Sequence, residues 1–172
     1  RHARQLRGAL LQVGAALGVT FGAQAMTRAV QGALQLAETL ADTADKVALT
    51  TEQLQALRFA ADQSGSSARV LDTAMQRFSR RIAEAAQGTG VLRAELQNYG
   101  VSIRNADGST RSSYDILRDY ADALANAEGS QEQLRLAVAA FDQEGGELVN
   151  LLRRGSAGID QFAERARDAG VV

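Results

Sequence analysis

LDTAMQRFSRRIAEAAQGTG, residues Leu71–Gly90, is the stretch that decides the fold. Leu71, Met75, Phe78, Ile82 and Ala85 recur at steps of four and three, so they share one face of a helix as a wide apolar stripe. Gln87-Gly88-Thr89-Gly90 then ends the pattern with residues that break helices. A stripe that wide needs other helices to cover it, and the sequence on both sides supplies them. Upstream, Thr50 with Gln53 three residues on reads as a capping box for a helix facing inward through Leu54, Leu57 and Ala61. Ser64-Gly65-Ser66-Ser67 breaks that helix before the central one begins. Further upstream, Thr27 to Lys46 is helical in pattern. There Ala33, Ala37, Leu40, Ala44 and Val47 repeat at 4-3-4-3, a heptad-like seam of mostly small residues. Such a seam suits close self-association, and it equally suits a plain core-facing stripe.

Downstream, Val91 to Tyr99 makes a short helix closed by Gly100. Val101-Ser102-Ile103-Arg104 alternates as a strand does, and Asn105-Ala106-Asp107-Gly108 is turn chemistry. With Ser109-Thr110-Arg111 returning, this predicts one small β-hairpin at about 101–111. Ser112 with Asp115 caps a helix whose face is Ile116, Leu117, Tyr120, Ala121 and Leu124. Ser130 with Gln133 reads as the cap of another, with Leu134, Ala137, Val138 and Phe141 inward. Glu144-Gly145-Gly146-Glu147 reads as a glycine hinge leading into Leu148, Val149, Leu151 and Leu152. After Arg153-Arg154-Gly155-Ser156, a last helix carries Ile159, Phe162 and Ala166. The expected fold class is mainly α: multiple short to medium helices, one small β-hairpin and an Ala/Gly-rich N-terminal helix. Two regions are expected, 1–32 as an Ala/Gly-rich apolar helix and 33–172 as the helical body with the hairpin.

Composition narrows the chemistry. The 172 residues include no proline and no cysteine, and the single histidine is His2. Disulfides, thiol nucleophiles and Cys-ligated zinc are excluded, and a histidine triad or metal cluster nearly so. Aromatics are only 5%, so the core has to come from Ala, Leu and Val in closely packed helices. A net charge of −1 gives no broad electrostatic reason to bind nucleic acid, and no sequence-specific binding is expected. Lys46 is the only lysine beside many arginines, which reads as a GC-rich genome. The chain opens on Arg1, not Met, and reads as a fragment or a processed product.

No motif supports catalysis. There is no phosphate loop followed by Lys and Ser/Thr, no HExxH and no GxSxG. Glu144 and Glu147 are spaced as a carboxylate pair, but they flank a double glycine at a helix start, where acids favour the helix dipole. Asp107-Gly108 invites a calcium-loop reading. Placing Gly108 sixth in such a loop puts Ile103 first and Tyr114 twelfth, where carboxylates are required, so it is a turn. Arg77, Arg80 and Arg81 cluster on the central helix, and a solvated face or pairing with Glu84 explains them better than phosphate contact. No cofactor, catalytic residue or metal ligand is assigned.

Residues Gly8 to Thr27, GALLQVGAALGVTFGAQAMT, carry no charge and follow Arg1, Arg4 and Arg7. Three readings stay open. One is a signal peptide cleaved after Ala23-Gln24-Ala25. Another is a membrane-active helix, in which Gly14, Gly18 and Gly22 form two overlapping GxxxG steps. The third is a buried Ala/Gly-rich helix packed on copies or neighbours. The weak self-association set is therefore Gly14, Gly18, Gly22, Ala33, Ala37, Leu40, Ala44 and Val47.

Four strings together resemble the tape measure proteins of long-tailed bacteriophages and related phage-like particles. They are AETLADTADKVALTTEQLQALRFAADQSG (Ala37 to Gly65), LDTAMQRFSRRIAEAAQGTG (Leu71 to Gly90), YGVSIRNADGSTRSSYDILRDYADALA (Tyr99 to Ala125) and AVAAFDQEGGELVNLLRRGSAGIDQFAERARDAG (Ala137 to Gly170). In order, they are similar to that family's helix ending in Ala-Asp-Lys, its Leu-Ser/Thr-Thr-Glu-x-Leu start and its Leu-Asp-x-Ala-x-x-Arg-Phe helix. Its Gly-Val-x-Val-x-Asp-x-x-Gly hairpin and Phe-x-x-x-Gly-Gly-x-x-Leu-x-x-Leu-Leu block follow. The matched span is roughly four fifths of the chain, with departures at Ser102, Arg104 and Asn105.

The resemblance implies a non-enzymatic structural protein of the virion tail, made in the bacterial cytoplasm. It would act as a homo-oligomer of a few parallel copies that fills the tube lumen and sets tube length. It would bind the tail tube and the tail-tip or baseplate proteins, leave at DNA ejection and contact the host envelope then. A helix rises about 1.5 Å per residue, so all 172 residues would reach only about 260 Å, and the glycine breaks suggest a compact fold instead. That points to part of a longer protein or to a short-tailed particle. The alternative is a membrane-inserting, pore-forming helical module acting through 8–27. An envelope-degrading enzyme is a third class, for which the sequence offers no acid/base pair.

Overall fold

A computed structural model describes residues 23–172, with side chains described from residue 29 onward. Among the described residues there are eight helices. They are α1 (Ala23–Lys46), α2 (Thr51–Gln63), α3 (Ala68–Ala86), α4 (Val91–Asn98), α5 (Ser113–Ala125), α6 (Gly129–Phe141), α7 (Gln143–Leu152) and α8 (Gly155–Asp168). The chain divides into two compact units, one ending at Leu40 and one running from Ala41 to Val172. The boundary follows burial: 31–39 are exposed, Leu40 is half-buried, and Ala44 and Val47 are closed off from solvent.

Within the second unit α3 is the central element, in contact with α2, α4, α5, α6 and α7. Its whole expected stripe, Leu71, Met75, Phe78, Ile82 and Ala85, is buried. Phe78 stacks on Phe141 of α6 at 5.0 Å between ring centroids and meets Tyr120 of α5 at 6.2 Å. Three of the few aromatics thus fill the middle, where offset and tilted rings add to the burial itself. Tyr120 brings a hydroxyl into this core and donates it to the Leu136 carbonyl at 2.9 Å. At the other side of the unit the helices meet through alanines: Ala56 of α2 packs with Ala163 and Ala166 of α8. An Ala- and Leu-built core works because small side chains let helix axes approach closely.

The helix ends show which local signals hold. Thr50 and Gln53 exchange both capping-box hydrogen bonds, at 3.1 and 3.0 Å. Ser112 Oγ accepts from the Asp115 amide, as its spacing predicts. α8 is capped from a distance: Asp122 Oδ1 of α5 accepts from the Ser156 amide at 2.6 Å. A carboxylate there also favours the positive end of the α8 dipole.

Four expectations are corrected. The β-hairpin at 101–111 is absent as paired strands; a single antiparallel bridge joins Arg104 to Thr110. Side chains compete with the ladder here. Ser102 Oγ bonds both the amide and the carbonyl of Arg104, and Asp107 takes the Ser109 amide. Arg104 itself reaches the carbonyls of Gly108 and Ala86. Second, Ser130 does not cap α6, because the helix already begins at Gly129, with Glu128 before it and no side-chain cap bond. Third, the buried side of α6 is Leu136, Ala137, Ala140 and Phe141, while Leu134 and Val138 are exposed. Apolar residues run nearly all round 134–141, so periodicity alone could not choose the stripe. Fourth, Gly145-Gly146 is no hinge. Both glycines lie inside α7, and the break falls at Asp142, whose backbone adopts φ 58° and ψ −138°.

Candidate functional site

The predicted self-association residues separate in the structure. Gly14, Gly18 and Gly22 lie outside the described residues. Ala33 and Ala37 are exposed and Leu40 is half-buried, whereas Ala44 and Val47 point into the chain's own core. The turn after α1 is tied to α3 by Ser79 Oγ, which donates to the Val47 carbonyl at 2.8 Å. Only the first part of the seam is thus open to a partner in this conformation.

Sequence reasoning missed the larger residues beside it. Leu34 is 59% exposed and Leu36 is 71% exposed. Two positions apart on a helix is roughly 200°, so these leucines face nearly opposite ways. With Ala33, Ala37 and Leu40, α1 between 30 and 40 is apolar on more than one side. The signal was legible: Leu34 and Leu36 both fall off the 33-37-40 seam.

The arginine cluster on α3 is engaged. Arg80 pairs with Glu84 at 2.6 Å, as expected. Arg77 Nη1 lies 2.7 Å from Glu144 Oε2, and the buried Arg81 meets Asp142 Oδ2 at 2.9 Å. Glu144 thus sits in the first turn of α7, paired with Arg77 of α3. Asp107 is likewise committed to its turn: hydrogen bonds from the Ser109 hydroxyl and amide hold its carboxyl below the usual range.

A second polar cluster joins α4 to α6. Glu132 accepts from Tyr99 Oη at 2.7 Å and from Arg135, whose guanidinium also forks onto Glu95 at 2.7 and 2.9 Å. The Arg135 bonds, then the Tyr99 bond, hold the Glu132 carboxyl down at about 2 against an ordinary 4.5. The Tyr99 phenol is raised, first by that same bond to Glu132. Because the folded pKa is the lower one, this contribution is complete above the unfolded value of 4.5 and is lost as pH falls towards 2. Glu132→Gln is expected to lower Tm at pH 7 and to flatten the decline of Tm between pH 4.5 and 2, read by circular dichroism melts. The cluster is partly solvated, so added salt is expected to shrink the difference.

The grooves on the second unit are shallow. One of 490 Å³ is lined by Ala48, Ile82, Ala86, Arg104, Arg111 and Ser113, among others. Its two arginines already serve carbonyls and Asp119: Arg104 holds Gly108 and Ala86, and Arg111 holds Ser102 and Asp119. Among the described residues no group of three or more His, Cys, Asp or Glu is placed to hold a metal ion. Among them, too, no helix is long and apolar enough to cross a membrane. Compared with protein-family models, curated proteins and solved structures, the chain matches none.

Proposed function

We propose that this chain is part of a tape measure protein of a phage or phage-like tail. In that role it fills the tube lumen as a few parallel copies, sets tube length, binds the tail tip and leaves at ejection. The observation that carries the reading is the order of four motif blocks between Ala37 and Gly170. Two features support it. The blocks are built from helices of 8 to 24 residues, with one longer connection between Asn98 and Ser113. And α1 keeps Leu34 and Leu36 exposed, on nearly opposite sides, which suits a helix surrounded by copies of itself.

The test is tail length by electron microscopy after in-frame duplication of residues 23–40. If that stretch lies along the tube as helix, the mean tail length grows by about 27 Å. Tails of unchanged length that fail to infect would move the segment to the tip or to membrane entry. Normal tails with normal infection would overturn the reading. Liposome leakage with and without residues 8–27 separates the membrane-inserting alternative, whose segment lies almost wholly outside the described residues.

A further inference from the structure

A single residue, Asp142, separates α6 from α7, and its backbone lies at φ 58° and ψ −138°. Residues other than glycine rarely occupy that region. The flanking sequence does not demand a break, since the chain has no proline and Phe141-Asp142-Gln143 contains no glycine. The bend is held from outside, by α3. Arg81, only 8% exposed, donates through Nη1 to the carbonyls of Val138 and Ala139, in the last turn of α6. Its Nη2 meets the Asp142 carboxylate at 2.9 Å, while Arg77 spans Asp142 at 3.3 Å and Glu144 at 2.7 Å.

The Ala139 carbonyl is the telling group. In an uninterrupted helix it would accept from the Gln143 amide four residues on. Here the Arg81 guanidinium takes it instead. A carbonyl can accept twice, as Val138 does here from the Asp142 amide and from Arg81, so the bent and straight forms differ in whether the Gln143 amide reaches Ala139 or Arg81 alone holds it. In the bent form α7 runs back along α6: Gly145 lies against the Ala137 backbone and Gly146 beside Leu134.

We propose that Asp142 is a sprung joint. In this proposal residues 129–152 have a second state, one continuous helix, which Arg81 and Arg77 hold in check. The inference rests on this geometry and not on the tail reading. Straightening restores the Gln143–Ala139 bond and relieves the left-handed residue. It gives up the burial of Leu148, Leu151 and Leu152 and the pairing of the two arginines. A partner that covers those leucines, or that supplies other carboxylates to the arginines, therefore favours the straight form by its differential affinity.

The chain has no cysteine, so Gln131→Cys and Asn150→Cys, both at exposed positions, give one clean pair of spin-label sites. A continuous helix separates their backbones by about 28 Å. The bent form brings them to on the order of 10 Å, the spacing of packed helices. Pulsed dipolar spectroscopy on the full chain then reads the straight form as a long-distance population. Asp142→Ala and Asp142→Gly both remove the carboxylate, but only glycine tolerates the bent backbone, and alanine is the better helix former. The alanine variant is expected to show an open-to-bent ratio about thirtyfold higher than the glycine variant. Arg81→Gln, with Asp142 kept, is expected to raise the long-distance population above that of the parent chain. Equal ratios in the two Asp142 variants would overturn the proposal. So would Arg81→Gln remaining bent, or short distances lost only together with helicity.

Discussion

Phe78→Ala is expected to cost about 4 kcal/mol of folding stability, the middle of the range for removing a buried aromatic ring. Phe78 is fully buried and stacks on Phe141 while touching Tyr120, so its ring joins α3 to both α5 and α6. The loss has two parts. The ring's transfer free energy goes, and the cavity left behind is walled by residues on three helices that cannot all collapse inward. A domain's net stability is about 5–15 kcal/mol, so this one change removes a large share of it. Denaturant titration should show a midpoint shift at unchanged slope, and Tm should fall by about 10 °C or more. A loss below about 1.5 kcal/mol would mean that α3 is not the centre of the core.

Gly145→Ala is expected to cost about 3 kcal/mol, whereas Gly146→Ala, one residue along the same helix, is expected to stabilise by up to about 1 kcal/mol. A Cβ at Gly145 would stand 2.2 Å from the Ala137 carbonyl oxygen and 2.4 Å from its carbon. Those are backbone atoms of α6, so no rotamer change can make room, and the two helices have to separate. A Cβ at Gly146 meets only Leu134 Cδ1, at 3.9 Å, which is ordinary contact. There the alanine simply lowers the entropy of the unfolded chain and improves helix propensity. Paired denaturation curves test both signs together. Equal effects at the two positions would mean that α6 and α7 are not packed backbone to backbone.

These two glycines also mark how much of the molecule the sequence discloses. A glycine pair between two glutamates reads as a hinge, because glycine's commonest local meaning is freedom. Its meaning here is closeness, and that depends on Ala137, eight residues earlier and on another helix. The same limit applies to Arg81. On its own helix it looks like one of three surface arginines, and only the arrival of α6 turns it into a buried donor to two carbonyls. Leu134 and Val138 tell the converse story. Their apolar character suggested burial, yet the close α6–α7 seam turned the helix and left them in solvent.

What the residues settled unaided is local and short in range. The mainly helical class followed from 4-3-4-3 spacing, and the stripe of α3 is buried throughout. The caps at Thr50 and Ser112 followed from side chains that reach their own amides three residues on. Those interactions span a single turn, so sequence distance and spatial distance are the same thing. Tertiary structure decided the rest: the bend at Asp142, the side on which α6 is buried, and the distant cap of α8 by Asp122. Each of these pits groups far apart in the chain against one another, and the winner is set by packing that no local spacing records.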